Sequence, residues 1–214
     1  MWRTTPDGRV ATRLDRPYRE RVSPDLKLAQ DPDADRLLSH DPFALLVGML
    51  LDQQFPMERA FAGPALLAQR LGTPDRLDPA AIAALDPEVL RTAAQGPPAI
   101  HRYPGSMADR IQALAQIVVD QYGGDAAAIW TTGTGTEVLK RLAALPGFGQ
   151  QKSKIFLALV AKQLDVKPRG WQQACFPYGR KGTRMSIADV TGPESLIKVR
   201  KWKQAQKAAA KAKG

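Results

Sequence analysis

Apolar residues recur at three- and four-residue intervals through most of this chain, and no stretch alternates over the length of a strand. The helical pattern starts at Leu26. Asp31-Pro32 opens a helix with Leu37 and Leu38 on its buried side. Asp41-Pro42 opens a second, in which Phe43, Leu45, Leu46, Met49 and Leu50 reach nearly all the way round; that predicts a central core helix. Pro56 starts a third, carrying Phe61, Leu66, Leu67 and Leu71. Asp-Pro pairs introduce short helices near 79–84 and 87–94. After the loop His101-Arg102-Tyr103-Pro104-Gly105, a long amphipathic helix carries Met107, Ile111, Leu114, Ile117, Val118 and Tyr122 until Gly123-Gly124 breaks it. A short helix near 125–130 leads into a Thr/Gly-rich turn at 131–136. Then come Val138, Leu139, Leu142 and Leu145 on one helix, and Ile155, Phe156, Leu159 and Val160 on the next. Residues 168–175 read as one more short helix and 176–192 as irregular. A final helix opens at Pro193-Glu194, carries Leu196, Val199 and Trp202, and fades into a Lys/Ala tail at 207–214. No internal repeat of fixed period is present, and helical spacing without an alternating run predicts an all-α class.

The sharpest local signal is Leu145-Pro146-Gly147-Phe148-Gly149-Gln150-Gln151-Lys152, a turn inside a helical hairpin spanning about 136–164. Pro146 stops the first helix, and Gly147 permits a positive φ. Gly149 has no Cβ, so another molecule can come close to its backbone. The free amides that open the next helix, and its dipole, favour an anion there. Lys152 and Lys154 add positive charge, and Gln151 and Phe148 complete the surface. This combination suits a nucleic-acid phosphate.

Charge strengthens that reading. The 214 residues carry a net +10, and the excess lies downstream of the turn: residues 151–214 hold 15 Lys/Arg against 3 Asp/Glu. A polyanion is the partner such a balance fits. A solvated basic tail is the plainer alternative. Residues 1–25 read as a basic arm, extended or disordered; 26–206 as one domain; and 207–214 as a Lys-rich tail. With one cysteine, Cys175, intramolecular disulfides and four-cysteine metal or iron–sulfur sites are excluded. With His40 and His101 as the only histidines, no metal or other cofactor is expected. Nothing in the sequence resembles a secretory leader or a membrane span, so a cytoplasmic, nucleoid-associated protein is expected. No feature argues for more than a monomer.

The order of these elements resembles the HhH-GPD superfamily of base-excision DNA glycosylases, over roughly residues 28–175. Leu145-Pro146-Gly147-Phe148-Gly149 matches the family hairpin, a turn shared with many other DNA-binding proteins. Leu50-Leu51-Asp52-Gln53-Gln54 is similar to the family's apolar helix ending in a glutamine pair. The loop at Tyr103 resembles the one that enters the duplex beside the target base. The resemblance implies two helical lobes, a cleft between them, double-stranded DNA as partner, and a base flipped into the cleft. It assigns Gln53 and Gln54, with His101, Arg102 and Tyr103, to filling the gap that the base leaves. Helix-end bonding for Gln54, and loop solvation for His101 and Arg102, are the structural alternatives.

Two positions depart from the family. Its nucleophilic lysine falls at Gln151, and an amide cannot form a Schiff base. Lys152, turned by about 100° from that position, is expected to face a phosphate instead. The family aspartate falls, without gaps, at Arg169. Three carboxylates are candidates for the chemistry. Asp52 is either a partly buried acid or base in the cleft or a helix-end cap or salt-bridge partner. Asp165 is displaced by four residues from the family position and otherwise a surface acid. Asp189 either folds back into the cleft or caps the last helix. Trp171 and Tyr178 stack on a base or pack in the core. Two functions follow: a monofunctional DNA N-glycosylase without lyase activity, or a catalytically inactive binder of damaged or distorted DNA.

Overall fold

The computed structural model describes residues 26–211. The basic arm at 1–25 lies outside the described residues, as do 212–214. Eleven α-helices follow one another within this span: α1 (Pro32–His40), α2 (Pro42–Leu51), α3 (Met57–Arg70), α4 (Pro79–Ala84), α5 (Pro87–Gln95), α6 (Pro104–Tyr122), α7 (Ala128–Thr131), α8 (Gly135–Ala143), α9 (Gln150–Gln163), α10 (Trp171–Ala174) and α11 (Pro193–Lys211). A single 3-10 turn, Ile187–Asp189, interrupts the irregular stretch before α11. No strand occurs among the described residues; one isolated bridge joins Thr134 to Arg169. The fold is all-α, as the periodicity requires.

Local chemistry explains where helices begin. Asp31, Asp41, Asp78 and Asp86 each accept a hydrogen bond from a first-turn amide, and each is followed by a proline whose missing N–H would be unpaired there anyway. Asp41 accepts a second amide, from Leu77 at 2.6 Å, and so ties α2 to the segment before α4. Thr134 and Glu137 form a reciprocal capping box at the start of α8.

Packing divides the helices into two groups. In the first, α1 and α3 clasp α2, while α4 and α5 lie along α6. In the second, α9 is sheathed by α8, α10 and the 3-10 turn. Helix α2 is buried from Phe43 through Leu51, as its all-round apolar sequence predicts. Helix α9 is buried from Phe156 through Ala161. One continuous core joins the groups, with Phe156 set edge-on to Trp130 at 5.2 Å and to Phe148 at 6.0 Å. The tail departs from expectation: α11 runs to Lys211 rather than fading at 207. Alanine and lysine have high helix propensity, so this stretch continues a helix without needing a core to rest on.

Candidate nucleic-acid interface

The two groups meet at the hairpin turn. Leu145 and Phe148 are buried, and Gly147 has φ +74. A Cβ on Gly147 would lie 2.5 Å from Leu50 Cδ1, so the turn packs directly onto the end of α2. Gly149 differs: its φ is −80, it is exposed, and a Cβ there would meet nothing within 4 Å. It caps α9 with no side-chain hydrogen bond to the first-turn amides. A helix start leaves its first amides without intrahelical partners, and the space beside Gly149 is open to an anion.

Beside the turn lies a cleft of about 1240 Å³. Its walls come from the α2–α3 link (Asp52, Gln53, Gln54), the hairpin (Gly147, Gly149, Gln151, Lys152) and α11 (Trp202, Lys203). Asp52 sits just past the end of α2 and is partly buried. Its carboxylate accepts no hydrogen bond and joins no close ion pair among the described residues. Burial pushes its pKa up, while the positive charges of Lys203 and Lys152 pull it back. Lys152 does not face outward. Its Nζ donates to the Leu50 carbonyl at 2.9 Å and lies 5.8 Å from the Phe148 ring centre. Burial lowers its pKa to about 8, and Asp52 opposes that shift. The first turn of α9 points this side chain at the unpaired carbonyls ending α2, which a lysine satisfies well. Gln151 is exposed and donates to the Tyr178 hydroxyl at 3.0 Å. Lys154, two residues on from Lys152, is partly buried.

The glutamine turn is held open by a buried imidazole. His101 is 2 % exposed. Its Nδ1 accepts from the Tyr103 amide at 3.0 Å, which leaves Nε2 as the protonated nitrogen, donating to the Gln53 carbonyl at 2.9 Å. Burial lowers its pKa, in keeping with a neutral ring. His101 therefore braces the loop, and the exposed groups at the tip are Arg102 and Tyr103, whose guanidinium and ring lie 5.4 Å apart. Gln53 is exposed and accepts from Arg110 at 3.2 Å. Gln54 takes a left-handed backbone, φ +53, and its exposed amide, at the rim of the cleft, has no hydrogen-bond partner among the described residues. A non-glycine residue in that region carries strain, which is more often retained at functional sites than elsewhere.

The other two carboxylates stand elsewhere. Asp165, also at positive φ, pairs with Lys167 on the surface and does not line the cleft. Asp189 is 5 % exposed at its side chain. It accepts from Lys162 Nζ at 2.6 Å, Thr183 Oγ1 at 3.1 Å and the Met185 amide at 2.8 Å. It caps its own 3-10 turn rather than α11 and latches the 176–192 segment onto α9. Arg169 lies against the start of α8, where its carbonyl accepts from the Gly135 amide at 2.8 Å. Trp171 packs partly buried on the core beside Gly135, whereas Tyr178 reaches the cleft. The periodicity misses the cleft roles of Trp202 and Lys203. Trp202 follows Val199 by three residues, so in sequence it looks like another core position.

No helix among the described residues is long and apolar enough to cross a membrane, and none of their His, Cys, Asp and Glu side chains cluster as metal ligands. No curated protein matches the chain. A family model does: HhH-GPD superfamily base excision DNA repair protein, over residues 47–213. That match spans α2 beyond its first turns, the glutamine turn, the hairpin, the cleft and α11. Together with an all-helical fold in which a Gly-Phe-Gly hairpin opens onto a cleft, it establishes that the chain belongs to the HhH-GPD superfamily of base excision DNA repair proteins.

Proposed function

We propose that this protein is a monofunctional DNA N-glycosylase, with residues 26–206 acting as one catalytic unit of two lobes. The observation that carries the reading is Asp52, a partly buried cleft carboxylate with no hydrogen-bond donor of its own and a raised pKa. The amides beside Gly149, with Lys154, hold a phosphate and seat the duplex. A base leaves the stack; Gln54, with Arg102 and Tyr103, fills the gap. Asp52 takes a proton from a water molecule as its oxygen bonds to the sugar carbon. The carbon–nitrogen bond breaks, and the base departs with the electron pair and is protonated by solvent. A carboxylate whose pKa is raised by burial is a stronger base than a free one, which suits such a role. Gln151 supplies no amine, so the abasic product is left with its strand intact.

A second reading, binding of damaged or distorted DNA without chemistry, is favoured by Arg169 at the position of the family aspartate. One experiment separates the two. Duplexes carrying uracil, alkylated purines, oxidised guanine or hypoxanthine are incubated with the protein and then treated with hot alkali. Alkali-dependent cleavage of at least one, reduced by orders of magnitude in Asp52→Asn, supports the glycosylase. No abasic sites on any substrate supports the binder, and full activity in Asp52→Asn removes Asp52 from the role.

A further inference from the structure

Helix α11 is joined to the body of the protein mainly by its first half. Leu196 and Val199 are buried near the 3-10 turn, and Arg200 pairs with Glu58 of α3. From Gln204 to Ala210 every residue is exposed. Between these parts stand Trp202 and Lys203, both partly buried and both on the wall of the cleft that holds Asp52. The Trp202 indole is not among the side chains packed on the core, forms no ring pair and donates no hydrogen bond within the described residues. A large aromatic ring on the open wall of a cleft offers a face on which a planar base can stack. Lys203 likewise forms no close ion pair among the described residues.

The charge of the cleft points the same way. Arg200 and Glu58 neutralise each other, which leaves Asp52 under the charges of Lys203 and Lys152, with Lys207 also lining the cleft. Cationic side chains outnumber the unpaired carboxylate. Such a cleft opposes a base that enters already positive, such as an N7-alkylated purine. It favours a neutral base that departs as an anion, such as uracil or hypoxanthine, because an ammonium stabilises the negative charge as it develops.

We infer that α11 is the base-binding wall: Trp202 stacks on the extruded base and Lys203 faces the negative charge that the base carries away. This rests on the glycosylase reading for Lys203, whereas Trp202 needs only extrusion. As the glycosidic bond breaks, its electron pair goes to the base nitrogen. The Lys203 ammonium stabilises that anion until solvent protonates it.

The test uses the full chain with Trp202→Ala, Trp202→Phe and Lys203→Gln. Duplexes carry 2-aminopurine, uracil or 7-methylguanine. Emission of 2-aminopurine rises when the base leaves the stack and is quenched when it stacks on an indole. Trp202→Ala is expected to bind with brighter emission than the wild type and to cleave uracil about tenfold to a hundredfold more slowly, the range for losing one stacked base. Trp202→Phe is expected to keep most of both. Lys203→Gln is expected to lose about tenfold on uracil and to gain on 7-methylguanine, whose positive charge the ammonium opposes. Circular dichroism checks that each variant is folded. Wild-type emission and rate in Trp202→Ala overturn the stacking assignment. Equal losses on both substrates in Lys203→Gln overturn the charge assignment. A wild type that responds to Trp202→Ala by emission yet cleaves nothing leaves the stacking wall standing and refutes the glycosylase.

Discussion

The two hairpin glycines divide the labour of the turn, and substituting each separately exposes the division. At Gly147 an alanine must hold φ +74, which costs an L-residue about 1–2 kcal/mol. Its methyl must also displace Leu50, whose Cδ1 lies 2.5 Å from the added carbon. Crowding of that kind in a packed core costs about 1–3 kcal/mol. Gly147→Ala is therefore expected to lose about 2–5 kcal/mol of stability, or about 4–20 °C in Tm for a domain of this size. At Gly149 the backbone is already in a region open to any residue, and the space is empty. Alanine there is expected to move Tm by only a degree or two, since the entropy it removes from the unfolded chain offsets its weaker capping. Urea unfolding followed by helical circular dichroism measures both. Fluorescence anisotropy on two unrelated duplexes measures binding. Gly149→Asp, which places a negative charge at the amides, is expected to weaken both duplexes equally while leaving the fold intact. If Gly147→Ala unfolds at the wild-type midpoint, the turn does not rest on Leu50. Unchanged affinity in Gly149→Asp refutes the phosphate site.

Other outcomes follow from the buried charges. Asp52 has a raised pKa in the folded state, so the native protein holds its proton longer than the unfolded chain. Stability is then lost as pH rises from the ordinary 3.8 through the raised value, and Asp52→Asn is expected to flatten that slope and to be no less stable at pH 7 in a melting series. For Lys152 the sign reverses. Between about 8 and 10.5 the native form releases its proton first, so stability rises with pH across that window, and Lys152→Met is expected to lack the rise. Borohydride added during turnover is expected to trap no covalent complex, because Gln151 has no amine; a trapped complex that Lys152→Gln abolishes would overturn the absence of lyase chemistry. Asp189→Ala leaves the partly buried Lys162 ammonium with Thr183 but without its carboxylate and is expected to cost about 1–3 kcal/mol in urea unfolding.

Much of the fold was legible because its signals are local. Apolar spacing in α2 and α6, Asp-Pro pairs at four helix starts, and the Gly147 turn each depend on neighbours within a few residues. Family membership was legible for the same reason, since the resemblance rested on short motifs. The assignments of individual cleft residues were less so. Lys152 looked like a phosphate ligand because the residues around it are polar, but its partner is Leu50, far away in sequence. His101 looked like part of a wedge, and its ring instead braces the Gln53 carbonyl across the loop. Asp189 resembled either a cleft acid or a cap for α11. Only the approach of Lys162 and Thr183 shows why it is held where it is.

The order of residues alone determined an all-helical chain, a Gly-Phe-Gly turn between two helices and an uneven charge, since each is a matter of composition or short-range spacing. Tertiary structure decided which side chains share the cleft. Asp52, Lys152 and Trp202, far apart in sequence, line one cleft, and Lys152 bonds the Leu50 carbonyl at the end of α2. Solvation and distance set the charge state and availability of such groups, and both arise only when distant segments pack together.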